Sequence, residues 1–167
     1  IAPIVFSYHD DIDEKLEDSL PGVVFADARN LGFNPMEVPD GRNITHIDCA
    51  GQLRDIFHAI FPDLGDLQLG ALYNAFKAAY EACGWSRDGG RGTTPRFRDF
   101  LEQLREIERP DRGTQTLLLR LTELDDRGFF DSDSPQPGHL DGAHPVVLQL
   151  HTTPSQAAQT AFASFAF

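Results

Sequence analysis

The side chains best suited to chemistry stand together near the start of the chain. His9, Asp10, Asp11 and Asp13 follow an apolar run at residues 4–8 (IVFSY). Such a run is typical of a strand buried on both faces of a parallel sheet, and α/β proteins bind ligands at the carboxyl ends of these strands. Carboxylate oxygens bind hard cations, so one hypothesis for the four residues is a metal contact. Because their spacing matches no distinctive ligand pattern, a solvated turn is the other.

A second group of side chains is basic. Arg87, Arg91, Arg96 and Arg98 fall within twelve residues, and the first two lie in a polar, glycine-rich stretch. We interpret the four arginines as candidate nucleic-acid contacts, with a solvated loop as the alternative. The chain as a whole carries a formal net charge of -12, which repels a phosphate backbone. If this chain contacts DNA, it must do so through this local patch or through other parts of a larger assembly.

The sequence contains no complete active site. It has no GxxxxGK(S/T) phosphate loop, no GxGxxG, no GxSxG elbow and no HExxH. The glycine-rich stretch 89–92 follows no predicted strand, so it lacks the context of a phosphate cradle. The six histidines are scattered, and Cys49 and Cys83 stand in no CxxC pair, which predicts two free thiols. We assign no catalytic residue and no cofactor-binding residue to this chain.

A block of four predicted helices occupies residues 48–130. Apolar residues recur at helical spacing within it, over the segments 48–61, 67–83, 94–107 and 116–125. Asp48 is the predicted N-cap of the first helix and Thr94 that of the third. Thirteen phenylalanines in 167 residues predict an aromatic-rich core.

Apolar runs flank the helical block on both sides. The runs 4–8, 23–27 and 146–150 predict buried strands, and a last helix is predicted from residue 154 onward. The expected fold class is therefore α/β and helix-rich: a small, mostly parallel sheet with an inserted all-α bundle. Residues 1–40 and 143–167 form the predicted sheet portion, and residues 41–142 form the predicted insertion.

The two termini and the hydropathy indicate whether the chain is a fragment and in which compartment the protein is expected. The chain begins without an initiator methionine and ends in an apolar segment, which favours a fragment of a longer protein. The sequence has no signal peptide and no apolar run of membrane-spanning length. We therefore expect a cytoplasmic protein without membrane contact.

The order of these elements resembles the middle of the motor domain in HerA-type ATPases. They belong to the HerA/FtsK group of P-loop DNA translocases and helicases, which includes the conjugation and type IV secretion ATPases. The matching segments are the strand and acidic turn at 4–11, the loop GFNPME at 32–37, the helices at 53–84, 97–104 and 117–130, and the strand at 146–150. The chain departs from that pattern at Ser7, where such proteins often carry an acidic residue. The phosphate loop and the Walker B acids would lie before residue 1 and after residue 167.

The resemblance implies an internal fragment of a P-loop NTPase core, within an ATP-dependent DNA translocase or helicase of DNA processing or bacterial defence. The longer protein would bind ATP and Mg²⁺ and act on DNA as a homo-oligomer, expected to be a hexamer. A nuclease or another protein would be its partner. The helical insertion would serve subunit contacts or DNA engagement. This chain alone would bind neither ATP nor Mg²⁺ and would not hydrolyse ATP.

Two other functions stay open at the level of sequence. The chain is also compatible with a non-enzymatic helical interaction or regulatory module, whose acidic surface meets a basic partner. A third hypothesis is a metal-dependent hydrolase that uses His9, Asp10, Asp11 and Asp13.

Overall fold

A computed structural model of the chain describes residues 2–9, 19–26, 34–39, 44–108, 110–126, 128, 130, 144–152, 156, 159, 160 and 163. The strands are β1 (Ile4–Ser7), β2 (Val24–Ala26) and β3 (Val146–Gln149). The helices are α1 (His46–Ile60), α2 (Asp66–Ala82), α3 (Phe97–Arg105) and α4 (Arg112–Asp126), and a 3₁₀ turn, Leu150–Thr152, follows β3. Among the described helices, none is long and apolar enough to cross a membrane.

The three strands form one parallel sheet in the order β1-β3-β2. Val146 of the central strand pairs with Ile4 on one side and with Val24 on the other. All four residues of β3 are buried, as expected of a strand enclosed on both edges and both faces. The predicted fold class, a small parallel sheet with a helical bundle between its strands, is confirmed. The exact boundaries of the sheet portion and the insertion stay a prediction.

The first helix begins at a capping box, although its N-cap is not the predicted one. Thr45 is the N-cap of α1, and the Asp48 backbone N–H donates to Thr45 Oγ1 at 3.2 Å. Asp48 is the third helical residue, and its carboxylate accepts the Thr45 backbone N–H at 2.9 Å. The prediction of Asp48 as N-cap was wrong because threonine three residues earlier satisfies the same free N–H groups reciprocally.

The third and fourth helices also begin at other residues than predicted. Thr94 is not the N-cap of α3; Arg96 takes that position, and its backbone N–H donates to the Asp99 carboxylate at 2.7 Å. Helix α4 begins at Arg112 rather than Thr116, since the Asp111 carboxylate accepts the Thr114 backbone N–H at 2.6 Å. In both cases an aspartate that binds free backbone N–H groups decides where the helix starts.

The core of the bundle is aromatic, as predicted. Phe76 of α2 stacks on Phe100 of α3 with ring centroids 3.8 Å apart, and Phe57 of α1 stacks on Phe76 at 5.6 Å. Phe97 packs against Phe130 at 4.3 Å. Each such pair contributes about 0.5–1.5 kcal/mol beyond the burial of its surface. These contacts hold α1, α2 and α3 around one centre.

Helix α2 also anchors a segment that precedes the bundle. The Tyr80 hydroxyl donates to the Met36 carbonyl at 2.7 Å, and both residues are buried. Burial raises the pKa of Tyr80, which keeps this hydroxyl protonated and able to donate. The Asn34 side-chain amide donates to the Pro95 carbonyl at 2.8 Å, just before α3. Residues 34–38 are thus fixed to the bundle at two points.

Candidate nucleic-acid interface

A cavity lies between the start of α1 and the loop that follows α2. Its volume is about 260 Å³, and it is lined by residues 44–46, 85–87 and 89–91. Among the described residues that line it, Arg87 and Arg91 are cationic and none is acidic. The two arginines belong to the stretch 85–96, which we call the basic loop. The structure therefore brings two of the four predicted arginines to one cavity.

The part of the basic loop that carries Arg87 and Arg91 is tied to itself by hydrogen bonds. The Ser86 N–H donates to the Gly90 carbonyl at 3.0 Å, and the Gly89 N–H donates to the Ser86 carbonyl at 3.2 Å. The Gly90 N–H donates to Ser86 Oγ at 3.2 Å. Gly89 has a φ of 86°, a conformation that favours glycine. These hydrogen bonds fix the backbone between Arg87 and Arg91, and with it the spacing of the two residues.

The base of the loop closes onto the end of α2. The Trp85 indole Nε1–H donates to the Thr93 carbonyl at 2.8 Å, and the Thr93 N–H donates to the Cys83 carbonyl at 3.0 Å. A Cβ on Gly92 would lie 2.0 Å from the Cys83 carbonyl oxygen, so only glycine fits there. Because both ends are fastened, ordering the loop on a ligand costs little additional conformational entropy.

The floor of the cavity includes a buried histidine that sequence reasoning did not single out. His46 is 2% exposed and lies 6.1 Å from the Tyr80 ring and 6.2 Å from the Trp85 ring, centroid to centroid. Within the described part of the chain, its Nε2 has no hydrogen-bond partner. A buried polar atom left in this way costs about 1–3 kcal/mol. The sequence holds no signal for it, since His46 meets Trp85 only through the packing of α1 on α2.

The other two predicted arginines stand apart from the cavity. Arg96 precedes α3 and does not line it. Arg98 is on α3 and forms an ion pair with Asp125 of α4, with Nε 3.6 Å from Oδ2. Its side chain is 63% exposed, so it remains accessible from solvent. The candidate interface therefore consists of Arg87 and Arg91 at the cavity, with Arg96 and Arg98 at the start of α3.

Asp48 and Cys49 of α1 follow two lining residues of the cavity, Thr45 and His46, along the chain. Hydrogen bonds from the Thr45 side chain, and then from its backbone, hold the pKa of Asp48 below its usual value, so this carboxylate stays ionised as a helix cap. Burial raises the pKa of the Cys49 thiol, which disfavours the thiolate.

The second predicted cluster follows β1. His9 is exposed, and the buried Ser7 hydroxyl donates to the His9 carbonyl at 2.6 Å. Asp10, Asp11 and Asp13 lie outside the described residues, so the metal contact stays a prediction. Elsewhere, in the ranges that the structure describes, no group of three or more His, Cys, Asp or Glu side chains could hold a metal ion.

The fold is that of an α/β protein with a helical bundle inserted into a parallel sheet. The cavity lined by Arg87 and Arg91, which we call the basic cavity, lies in the helical bundle. No family model matches the chain, and no curated protein matches it. Its fold is similar to a solved structure, that of VirB4 of Thermoanaerobacter pseudethanolicus, with a TM-score of 0.65 and 18% sequence identity. The likeness covers 99% of this chain and 48% of that chain. At this identity it shows a shared fold, and this chain spans about half the length of the VirB4 chain.

Proposed function

We propose that the chain is part of an ATP-driven DNA translocase or helicase of the HerA/FtsK group. The observation that carries the proposal is the fold likeness to VirB4, which extends over 99% of the chain at a TM-score of 0.65. It supports the context of a P-loop motor ATPase, which the order of strands and helices in the sequence also favours. Two independent lines, the sequence resemblance and the fold, thus favour the same class of motor.

The nucleotide chemistry belongs to other parts of such a motor. ATP with Mg²⁺ requires a phosphate loop whose lysine and backbone N–H groups hold the phosphates, and this sequence has no such motif. The residues of this chain therefore do not fit the cofactor, and we derive no step of ATP hydrolysis from them. The nucleotide would be bound by the longer protein, assembled as a homo-hexamer in the cytoplasm, with a nuclease or another protein as partner.

The role we propose for the helical block is contact with DNA. Arg87 and Arg91 line one cavity, on a loop fastened at both ends. A guanidinium group forms charge-assisted, bidentate hydrogen bonds with phosphate oxygens. The net charge of -12 repels a phosphate backbone, so we expect the attraction to come from this loop.

The gene that encodes the chain offers the most economical test. A GxxxxGK(S/T) motif within about 60 residues upstream of residue 1 is expected, because the phosphate loop precedes the first motor helix in such proteins. The purified 167-residue chain should show no ATP hydrolysis. ATP turnover by this chain alone, or a gene without the motif, would contradict the proposal.

A further inference from the structure

A groove that shares no lining residue with the basic cavity lies between the start of α2 and the turn from α3 to α4. Its volume is about 440 Å³. One wall comes from α2 and the other from Ile107, Pro110, Asp111 and Thr114. We call it the acidic groove, because Asp66 and Asp111 line it and no described cationic side chain does.

The α2 wall is apolar and open. Leu67, Gly70, Ala71 and Asn74 follow one another at helical spacing on the same face. The Leu67 side chain is 74% exposed, far above the other leucines of α2. A Cβ built on Gly70 would meet no heavy atom within 4 Å. The α2 face therefore offers an exposed apolar side chain beside room for another one.

The two walls are held together before any ligand arrives. Gln68 Nε2 donates to Asp111 Oδ2 at 3.3 Å, while Gln68 Oε1 accepts the Gly65 N–H at 3.0 Å. A Cβ on Gly113 would lie 2.0 Å from Gln68 Nε2, which shows how closely α4 approaches the Gln68 side chain of α2. A groove that is already formed lowers the entropic cost of binding.

Two carboxylates give the groove its charge. Asp66 lies in the first turn of α2, where the helix dipole favours a negative group. Hydrogen bonds from Thr114, and then from Gln68, lower the pKa of Asp111, so it is ionised at neutral pH. A carboxylate oxygen can accept two hydrogen bonds, which leaves Asp111 able to bind a further donor. An occupant must therefore bring positive charge next to its apolar side chain.

We propose that the acidic groove docks a short segment of another protein, with an apolar side chain over Gly70 and lysine or arginine residues beside Asp66 and Asp111. The apolar lining beside the two carboxylates selects for this combination, since a basic segment without an apolar side chain would leave Leu67 exposed. An acidic segment would meet like charge from Asp66 and Asp111. The inference does not depend on the proposed motor function.

The structure supplies a matched pair of variants to test it. Gly70 and Gly51 both lie inside helices, and a Cβ on either meets no heavy atom within 4 Å. Gly70→Leu fills the groove, whereas Gly51→Leu makes the same change on α1. Both replace glycine in a helix by a better helix former, so neither should unfold the chain. Circular dichroism and thermal unfolding of both variants verify this.

The probe is a short synthetic amphipathic peptide with a leucine stripe flanked by lysines, titrated into the 167-residue chain by fluorescence anisotropy. The comparison peptide has glutamates in place of the lysines. We expect the lysine peptide to bind, Gly70→Leu to weaken it by at least about tenfold, and Gly51→Leu to leave it unchanged. The glutamate peptide should bind at least about tenfold more weakly than the lysine peptide.

Three results would overturn the inference. The first is that the lysine peptide binds no more tightly than a scrambled control peptide. The second is equal loss of affinity in Gly70→Leu and Gly51→Leu. The third is self-association of the wild-type chain in light scattering that Gly70→Leu abolishes, which would make a second copy of the chain the occupant.

Discussion

The two ends of α2 carry opposite surfaces. The N-terminal end bears the acidic groove, with Asp66 in the first turn, whereas the C-terminal end leads into the basic loop with Arg87 and Arg91. A helix of 17 residues separates them by about 25 Å. The helix dipole favours Asp66 in the first turn, whereas the two arginines lie in the loop beyond the last turn. A net charge of -12 thus conceals a local polarity, from which we infer two different partners.

The largest effect is expected where both ends depend on the same core. Phe76 lies in the middle of α2, is fully buried and stacks on Phe100. Phe76→Ala should lower the free energy of unfolding by about 3–5 kcal/mol, because it removes the ring and leaves a cavity. Urea unfolding checks this, with Leu119→Ala as control, since Leu119 is 73% exposed. A change below 1 kcal/mol in Phe76→Ala would disprove a shared core.

Two smaller substitutions, one in the basic loop and one in the acidic groove, should change the stability in opposite directions. Gly92→Ala, in the basic loop, should destabilise by about 1–3 kcal/mol, since its Cβ would lie 2.0 Å from the Cys83 carbonyl oxygen. Gly70→Ala, in the groove, should stabilise by about 0.5–1 kcal/mol, because its Cβ meets open space inside a helix. Thermal unfolding of both variants measures the contrast. Equal shifts in Tm would show that the two surfaces differ less than the geometry indicates.

Removal of the α1 cap probes the floor of the basic cavity. Thr45→Ala takes away the hydroxyl that accepts the Asp48 N–H, and should cost about 1 kcal/mol. Thr45→Ser keeps the hydroxyl and should restore most of the stability. Chemical unfolding of both variants decides this. If alanine and serine behaved alike, the Thr45 hydroxyl would contribute nothing to the stability of the helix.

Low pH should lower the stability of the fold, and we expect this effect on stability to be smaller than those of the substitutions above. The pKa values of Asp48, Asp63 and Asp111 are all held below the ordinary value of 3.8, through hydrogen bonds from Thr45, Arg120 and Thr114 respectively. A carboxylate with a lowered folded pKa contributes stability above its unfolded pKa and loses it as pH falls through the folded pKa. Stability should therefore fall below about pH 4. Unfolding curves from pH 7 to pH 2.5 would contradict this if the midpoint stayed constant.

Much of the fold could be predicted from sequence because each strand is a short, continuous apolar run. The runs 4–8, 23–27 and 146–150 contain the observed strands, and their parallel pairing was also predicted. The strand order could not be predicted, since β3 enters between β1 and β2 from more than a hundred residues away. Helix starts were missed where Thr45 and Asp111 compete with nearby polar residues for the same N–H groups.

The candidate sites also combine features that are visible in the sequence with features that only the folded chain shows. The clustering of Arg87 and Arg91 is visible in the sequence because it is a local property, and their contact with nucleic acid stays a prediction. The cavity beside them could not be predicted, because His46 and Trp85 meet only in three dimensions. The acidic groove was missed as well, since Leu67 and Gly70 lie outside the regular apolar stripe of α2, and only the folded chain shows that they are open to solvent.

The most direct test of the proposed function is DNA-stimulated ATP hydrolysis by the full-length gene product, in wild type and in an Arg87→Glu, Arg91→Glu variant. We expect DNA to stimulate the wild-type ATPase. The double variant should keep the basal rate, and its DNA affinity should fall by at least about tenfold with a shallower salt dependence. Arg54→Glu, on α1, is the matched control and should behave as wild type. A full-length protein without ATPase activity, or a double variant stimulated as strongly as wild type, would contradict the proposal.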